Sequence, residues 1–235
     1  MMLSLVNINN LKDIEKKLRM FKGSIVALVT PFKGNDIDES SLRKLVDWHI
    51  SEGTDGIVPV GTTGESPTLN HDEHERVVEI VIDQCNKRVP VIAGTGSNST
   101  AEAINLLKHA ENAGADAALV VTPYYNKPTP EGLYAHYEAL DKASSGIPVI
   151  IYNIPSRSVI DINVDLMGRL SRLQSIVGVK DATSDISRIK KHNELCKDGF
   201  IQLSGEDETI YEYMTNGGQG CISVTANILP KVCSD

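Results

Sequence analysis

No stretch of this 235-residue chain approaches the ~18 consecutive apolar residues of a membrane-spanning helix. The N-terminal sequence MMLSLVNINNLKDIEKK lacks the layout of a signal peptide. Basic residues are neither in excess nor clustered: Lys and Arg number 23 against 31 Asp and Glu, a formal net charge of −8. A nucleic-acid-binding surface needs concentrated cations to displace counterions, so no nucleic-acid partner is expected, and no membrane partner either. The four cysteines, Cys85, Cys196, Cys221 and Cys233, form no CxxC pair and have no histidine at metal-ligand spacing. They read as reduced thiols of a cytoplasmic protein. Nucleotide-binding glycine loops are missing too: no GxGxxG follows an apolar run and no GxxxxGK[ST] occurs. What remains is a globular composition, 41% hydrophobic and 23% charged, long enough for one large domain.

What is present is a repeating unit: a short aliphatic run, a loop with Gly or Pro, then a helical pattern. Eight such runs begin at Ser24, Gly56, Pro90, Ala117, Pro148, Ile176, Phe200 and Gly220. Most are continuously apolar, as parallel strands covered on both faces require. The segments ESSLRKLVDWHISEG, HDEHERVVEIVIDQC and TAEAINLLKHAENAG read as intervening helices, the last stopped by Gly114. Eight β-then-α units predict an α/β fold, a (β/α)8 TIM barrel, over residues 21–235. Residues 1–20, with the charged helix candidate LKDIEKKLRM, form an N-terminal extension, and Met20 is an alternative start. Little chain follows the eighth run, so the barrel is expected to lack its last helix.

In a barrel, chemistry sits where strands end. The second run ends in Gly61-Thr62-Thr63-Gly64-Glu65, hydroxyls and backbone N–H groups suited to a carboxylate; alternatively it is a turn capping a helix. The fifth ends in Tyr152 with Arg157 five residues on, a side chain able to hold a carboxylate bidentately or to stand in solvent. The sixth carries Lys180 inside an apolar strand. There desolvation lowers a lysine pKa and frees an amine to attack a carbonyl; the competing reading points Lys180 to water beside Asp181. His71 and His74 are three apart, whereas helical zinc sites use four, so no metal is assigned. Glu206-Asp207-Glu208 reads as a solvated helix start. The tract Pro123-Tyr124-Tyr125-Asn126-Lys127-Pro128 is either a rigid surface turn or a site wall and subunit contact.

Together, GSIVALVTPF, VGTTGESPTLNHDEH, AGTGSNSTAEAI, VTPYYNKPTPEGLYAHY, YNIPSRS, GVKDAT, LSGEDE and GGQGCISVTAN resemble the dihydrodipicolinate synthase family, from about Phe21 to the end. That family belongs to the pyruvate-dependent Schiff-base aldolases. The resemblance implies a lyase condensing pyruvate with L-aspartate-4-semialdehyde on the route to lysine and diaminopimelate. Lys180 would form the imine and Tyr152 would be the acid/base, joined through Thr62 to Tyr125 of a neighbouring subunit in a homodimer or homotetramer. Thr63 would bind the pyruvate carboxylate and Arg157 that of the semialdehyde, with Gly205 and Ile222 lining the pocket. No cofactor is implied, since the imine is its own electron sink. Ser66, His71, His74, Asn98, Glu102 and Tyr124 match an allosteric lysine site of some members. Two departures stand out. Ser158-Val159 follows Arg157 where relatives have Thr-Gly, and the family's helical C-terminal region is not in this sequence.

Two rival readings remain at this point. A sibling aldolase, of the N-acetylneuraminate lyase or keto-deoxy sugar acid type, would keep Lys180 and Tyr152 with another acceptor. A shortened, non-catalytic binding protein would hold pyruvate or lysine without turnover.

Overall fold

The structure, a computed structural model, describes residues 21–235; the extension 1–20, its helix candidate and the start at Met20 lie outside the described residues. Eight strands run parallel: β1 Gly23–Ala27, β2 Gly56–Val58, β3 Ile92–Gly94, β4 Ala117–Val121, β5 Val149–Asn153, β6 Ile176–Asp181, β7 Ile201–Ser204 and β8 Gly220–Ser223. Their order is β2-β1-β8-β7-β6-β5-β4-β3. The first and last strands are joined by Gly23 opposite Gly220 through Val26 opposite Ser223. A parallel bridge from Ile57 to Val91 closes the remaining seam between β2 and β3. The barrel expected from the pattern of runs is the fold.

Period-two alternation sorts each strand into an inner and an outer face. Ile25, Ala27, Leu119, Ile150, Tyr152, Ala182, Leu203 and Ile222 fill the barrel interior. Their neighbours Val26 and Ala93 pack outward on one set of helices, and Ala118, Val120, Ile151 and Val179 on another. Both faces are therefore apolar, which is why the runs show no polar alternation.

The longer helices and the last one are α1 Glu39–Ser51, α2 His71–Cys85, α3 Thr100–Ala113, α4 Pro130–Ala143, α5 Val164–Leu170, α6 Ser187–Leu195, α7 Ile210–Thr215 and α8 Pro230–Ser234, with a single helical turn at Pro155–Ser158 between β5 and α5. Helix α2 opens with a capping box in which Asn70 accepts from the Glu73 amide while the Glu73 carboxylate accepts from the Asn70 amide. Helix α3 stops at Gly114, whose φ of +93° suits glycine. The barrel is expected to lack its last helix, and only a short segment stands in that place. A helix, α8, does follow β8, five residues long. Its Cys233 packs on the outer core and the Ser234 hydroxyl donates to the Glu52 carbonyl, 3.0 Å away.

Candidate active site

Alternation decides the direction of Lys180. Val179 packs outward and Ala182 inward, so Lys180 points into the barrel, where it is 5% exposed. The competing reading, a lysine in water, is set aside. Burial pushes its pKa down from 10.5 to about 8, against the opposing pull of Cys221, Glu206 and Asp207; Arg157 adds a little to the lowering. Tyr152 lies opposite Lys180 in the β5–β6 register. The Lys180 ammonium stands 4.1 Å from the centre of the Tyr152 ring. Burial raises the Tyr152 phenol to about 12, partly offset by a hydrogen bond with Thr62. Gly205 lies against the lysine stem: a Cβ there would come within 3.2 Å of Lys180 Cε and 2.8 Å of Ala182 Cβ. Ile222 joins Tyr152 and Leu203 in the interior layer.

The Gly61–Glu65 loop is held by strain and close packing. Val60 is buried with φ +46°, a left-handed conformation that β-branched residues seldom adopt. The Thr30 hydroxyl donates to the Gly64 carbonyl at 2.7 Å, and Gly94 donates to the Pro59 carbonyl at 3.1 Å. A Cβ on Gly94 would sit 2.2 Å from the Val60 carbonyl oxygen. Gly94→Ala therefore forces the backbone of the Thr62 loop to move, and chemical denaturation is expected to show a loss of about 1–3 kcal/mol. Unchanged stability would mean the loop is free to shift.

A cavity of about 520 Å³ opens at this end of the barrel, lined by Thr62, Tyr152 and Arg157 together with Ser66, His71, His74, Glu102 and Tyr124. Thr62, Tyr152 and Arg157 thus share one hollow with most of the expected allosteric groups, whereas Lys180, Gly205 and Ile222 are not part of its wall. His71 Nε2 lies 2.7 Å from Glu102 Oε1, and the Ser97 hydroxyl donates to the other Glu102 oxygen. These two contacts, Ser97 first, hold the Glu102 carboxyl below its usual pKa. His74 is 5% exposed, has no hydrogen-bond partner on either ring nitrogen, and is pushed down to about 4 by burial. Among the described residues no cluster of three or more His, Cys, Asp or Glu side chains could hold a metal.

Three further predicted residues also stand apart from it. Thr63 and Asn98 are not in the cavity wall, although the Asn98 carbonyl accepts from Asn126 Nδ2 at 3.1 Å and anchors the tyrosine loop. Tyr125 is 88% exposed. The Asn126 amide donates to the Tyr124 carbonyl at 2.8 Å across a Tyr125 φ of +72°, a strained γ-turn that throws the ring outward. Val159, at the departure from the family pattern, has φ +67° and ends the short Pro155–Ser158 helix that carries Arg157. Where the resemblance implies glycine, this chain strains a valine. The solvated reading of Glu206-Asp207-Glu208 also needs correction. Asp207 Oδ2 accepts from the amides of Val224 and Thr225 at 3.0 and 2.9 Å and from the Thr225 hydroxyl at 2.9 Å. It ties the loop after β7 to the loop after β8, a role its acidic neighbours masked.

Fold and site together are those of a (β/α)8 barrel that presents a buried, pKa-lowered amine beneath a tyrosine at its C-terminal face. Residues 20–235 match the sequence model of the dihydrodipicolinate synthetase family, and the chain belongs to that family. It is 63% identical to 4-hydroxy-tetrahydrodipicolinate synthase of Rhodopseudomonas palustris (strain BisA53) over 215 residues, 92% of this chain and 72% of the relative. A crystal structure of the chloride-inhibited dihydrodipicolinate synthase from Acinetobacter baumannii, complexed with pyruvate, superimposes with a TM-score of 0.88. It shares 53% identity over 91% of this chain and 73% of that one. The Cyanidioschyzon merolae enzyme with lysine bound gives a TM-score of 0.87 at 34% identity, covering 90% of this chain and 72% of that one. These names favour the synthase over the sibling sugar-acid aldolases. Among the described residues no helix is long and apolar enough to cross a membrane.

Proposed function

We propose that this chain is a lyase that condenses pyruvate with L-aspartate-4-semialdehyde through an imine on Lys180, giving 4-hydroxy-tetrahydrodipicolinate. The observation that carries the reading is the Lys180–Tyr152 pair, buried, in register and 4.1 Å apart, in a chain of this family. The free amine adds to the pyruvate ketone carbon, and the resulting carbinolamine loses its hydroxyl as water to leave an imine. Loss of a methyl proton gives an enamine, whose carbon attacks the semialdehyde carbonyl. Cyclisation through the substrate's own amine then releases Lys180. Tyr152, a neutral phenol well below pH 12, donates and recovers the proton at the carbinolamine oxygen, with Thr62 as its hydrogen-bonding neighbour.

Thr63 takes the pyruvate carboxylate and Arg157, exposed at the cavity wall, that of the semialdehyde. Gly205 leaves room for the lysine stem, and Ile222 packs in the same interior layer as Tyr152. Tyr125 would enter the site of a second copy, so a homodimer or homotetramer belongs to this reading, with the exposure of its ring in support. Free L-lysine is proposed as an inhibitor, its ammonium and carboxylate held among Ser66, His71, His74, Asn98, Glu102 and Tyr124. In support, Glu102 is an ionised carboxylate and His74 has unpartnered ring nitrogens. Action in the cytoplasm is part of the reading, with the free thiols of all four cysteines in its support.

The test is incubation with pyruvate and borohydride followed by peptide mass mapping. A reduced adduct on Lys180 is expected; a folded chain left unmodified would remove the basis for imine chemistry.

A further inference from the structure

Behind the reacting pair, on the outer face of the same two strands, lies a partly buried ionic cluster that the imine chemistry does not use. Asn153 and Asp181 follow Tyr152 and Lys180 and are likewise opposite each other in the β5–β6 register. Alternation turns both outward. There Asp181 meets Arg188 of α6, which is only 6% exposed, and Asn153 reaches the same arginine through Asp161. Arg188 Nη1 donates to both oxygens of Asp161, at 3.0 and 2.9 Å, and Nη2 donates to the Ile162 carbonyl. Its Nε stands 3.1 Å from Asp181 Oδ2, an ion pair without hydrogen-bond alignment. Asn153 Nδ2 donates to Asp161 Oδ1 at 2.8 Å, and Asn153 Oδ1 accepts from the Ile162 amide at 3.1 Å. The other Asp181 oxygen accepts from the Thr183 amide and hydroxyl, at 2.9 and 2.6 Å. One guanidinium therefore bridges the ends of β5 and β6.

We propose that Arg188 is a positioning residue for the imine-forming lysine: by clamping Asp181 and the Asp161–Asn153 pair it fixes the register in which Lys180 faces Tyr152. The proposal rests on the reading of Lys180 as the nucleophile. Its need arises lower in the same ladder. The β5–β6 pairing shifts between Val149 and Ile150, whose partners are Ile176 and Gly178, so Val177 is left over. Such an irregularity loosens the hold of the lower ladder on the upper one. A slip of one residue would turn Lys180 to the helix layer and Asp181 into the barrel. The clamp acts where the slip would matter, one residue beyond the reacting pair. Backbone contacts pass the position on: Ala182 donates to the Asn153 carbonyl at 2.9 Å, and Gly205, beside the lysine stem, donates to the Asp181 carbonyl at 2.7 Å. As a source of stability alone the cluster is a poor choice, because desolvating an arginine and a carboxylate offsets most of their attraction. Setting register is the use such buried pairs serve best.

Arg188→Lys keeps the charge but loses the planar fork that reaches three partners at once. Pyruvate-dependent borohydride trapping of Lys180 in this variant is expected to slow about tenfold or more, as misplacement of a reacting group by an ångström does. The pyruvate concentration giving half-maximal trapping should stay within about twofold, since the carboxylate subsite is untouched. Asp161→Asn, at the more exposed end of the cluster, is expected to show the same split and keeps the test open if Arg188→Lys does not fold. Arg169→Lys is the control: Arg169 makes a bidentate pair with Glu131 on the surface, at 2.8 and 3.0 Å, and trapping should not change. Folded Arg188→Lys and Asp161→Asn proteins that trap at the wild-type rate would overturn the proposal while leaving Lys180 in place. Absence of adduct in the unsubstituted chain would overturn the reading of Lys180 and this proposal with it.

Discussion

Lys180→Met is expected to abolish the borohydride-trapped adduct and, in the same protein, to raise stability. Without the amine no covalent intermediate forms, so turnover should fall to what binding alone supplies, a loss of about 10⁴-fold or more. The stability gain follows from linkage. The amine has a pKa of about 8 in the folded chain against 10.5 when exposed, so the folded state disfavours the ammonium. That cost, on the order of 3 kcal/mol, is felt in full below pH 8 and fades between pH 8 and 10.5, where the unfolded chain alone still holds the proton. Methionine matches the stem and carries no charge. Melting curves at pH 7 and near pH 10.5 check this: the gain should be present at the first and nearly gone at the second. Equal stability at pH 7 would mean that water reaches the amine. The same shift gives the trapping rate of the unsubstituted chain its pH profile. At pH 7 about one amine in ten is free, against about one in three thousand at the ordinary pKa, so the rate should climb with pH and level off above 8.

Tyr152→Phe is expected to lower turnover by about 10²–10⁴-fold while leaving the adduct slow but detectable. The ring stays, so the apolar roof over Lys180 and its lowered pKa are retained. What goes is the hydroxyl, the group beside Lys180 that can pass a proton to and from the carbinolamine oxygen. Steady-state kinetics set beside trapping amplitude separates the two effects. A large drop in kcat with near-complete trapping at long times is the expected pattern. Wild-type kcat would assign the proton transfer elsewhere.

The strands were legible because both faces of each are covered, so the apolar runs stand out without alternation. Lys180 was legible as a charge misplaced in such a run, and Tyr152 and Arg157 as side chains at or just past a strand end. Asp207 was not. Its acidic neighbours suggested a solvated helix start, and only the approach of the β8 loop supplies the amides it accepts from. Arg188 was equally silent: in α6, SRIKKHNEL, it reads as one cation among several on a surface helix. Helix α8 went unread because five residues carry too little periodicity to register.

The sequence by itself determined the eight β-then-α units, the family, and the identity of the groups that carry the chemistry. Tertiary structure alone decided which way each of them points. A strand turns alternate side chains to opposite faces, so the inward aim of Lys180, its pairing with Tyr152 and the outward clamp on Asp181 depend on inter-strand register. Register is a property of strands separated by some thirty residues, held by contacts that local sequence does not encode.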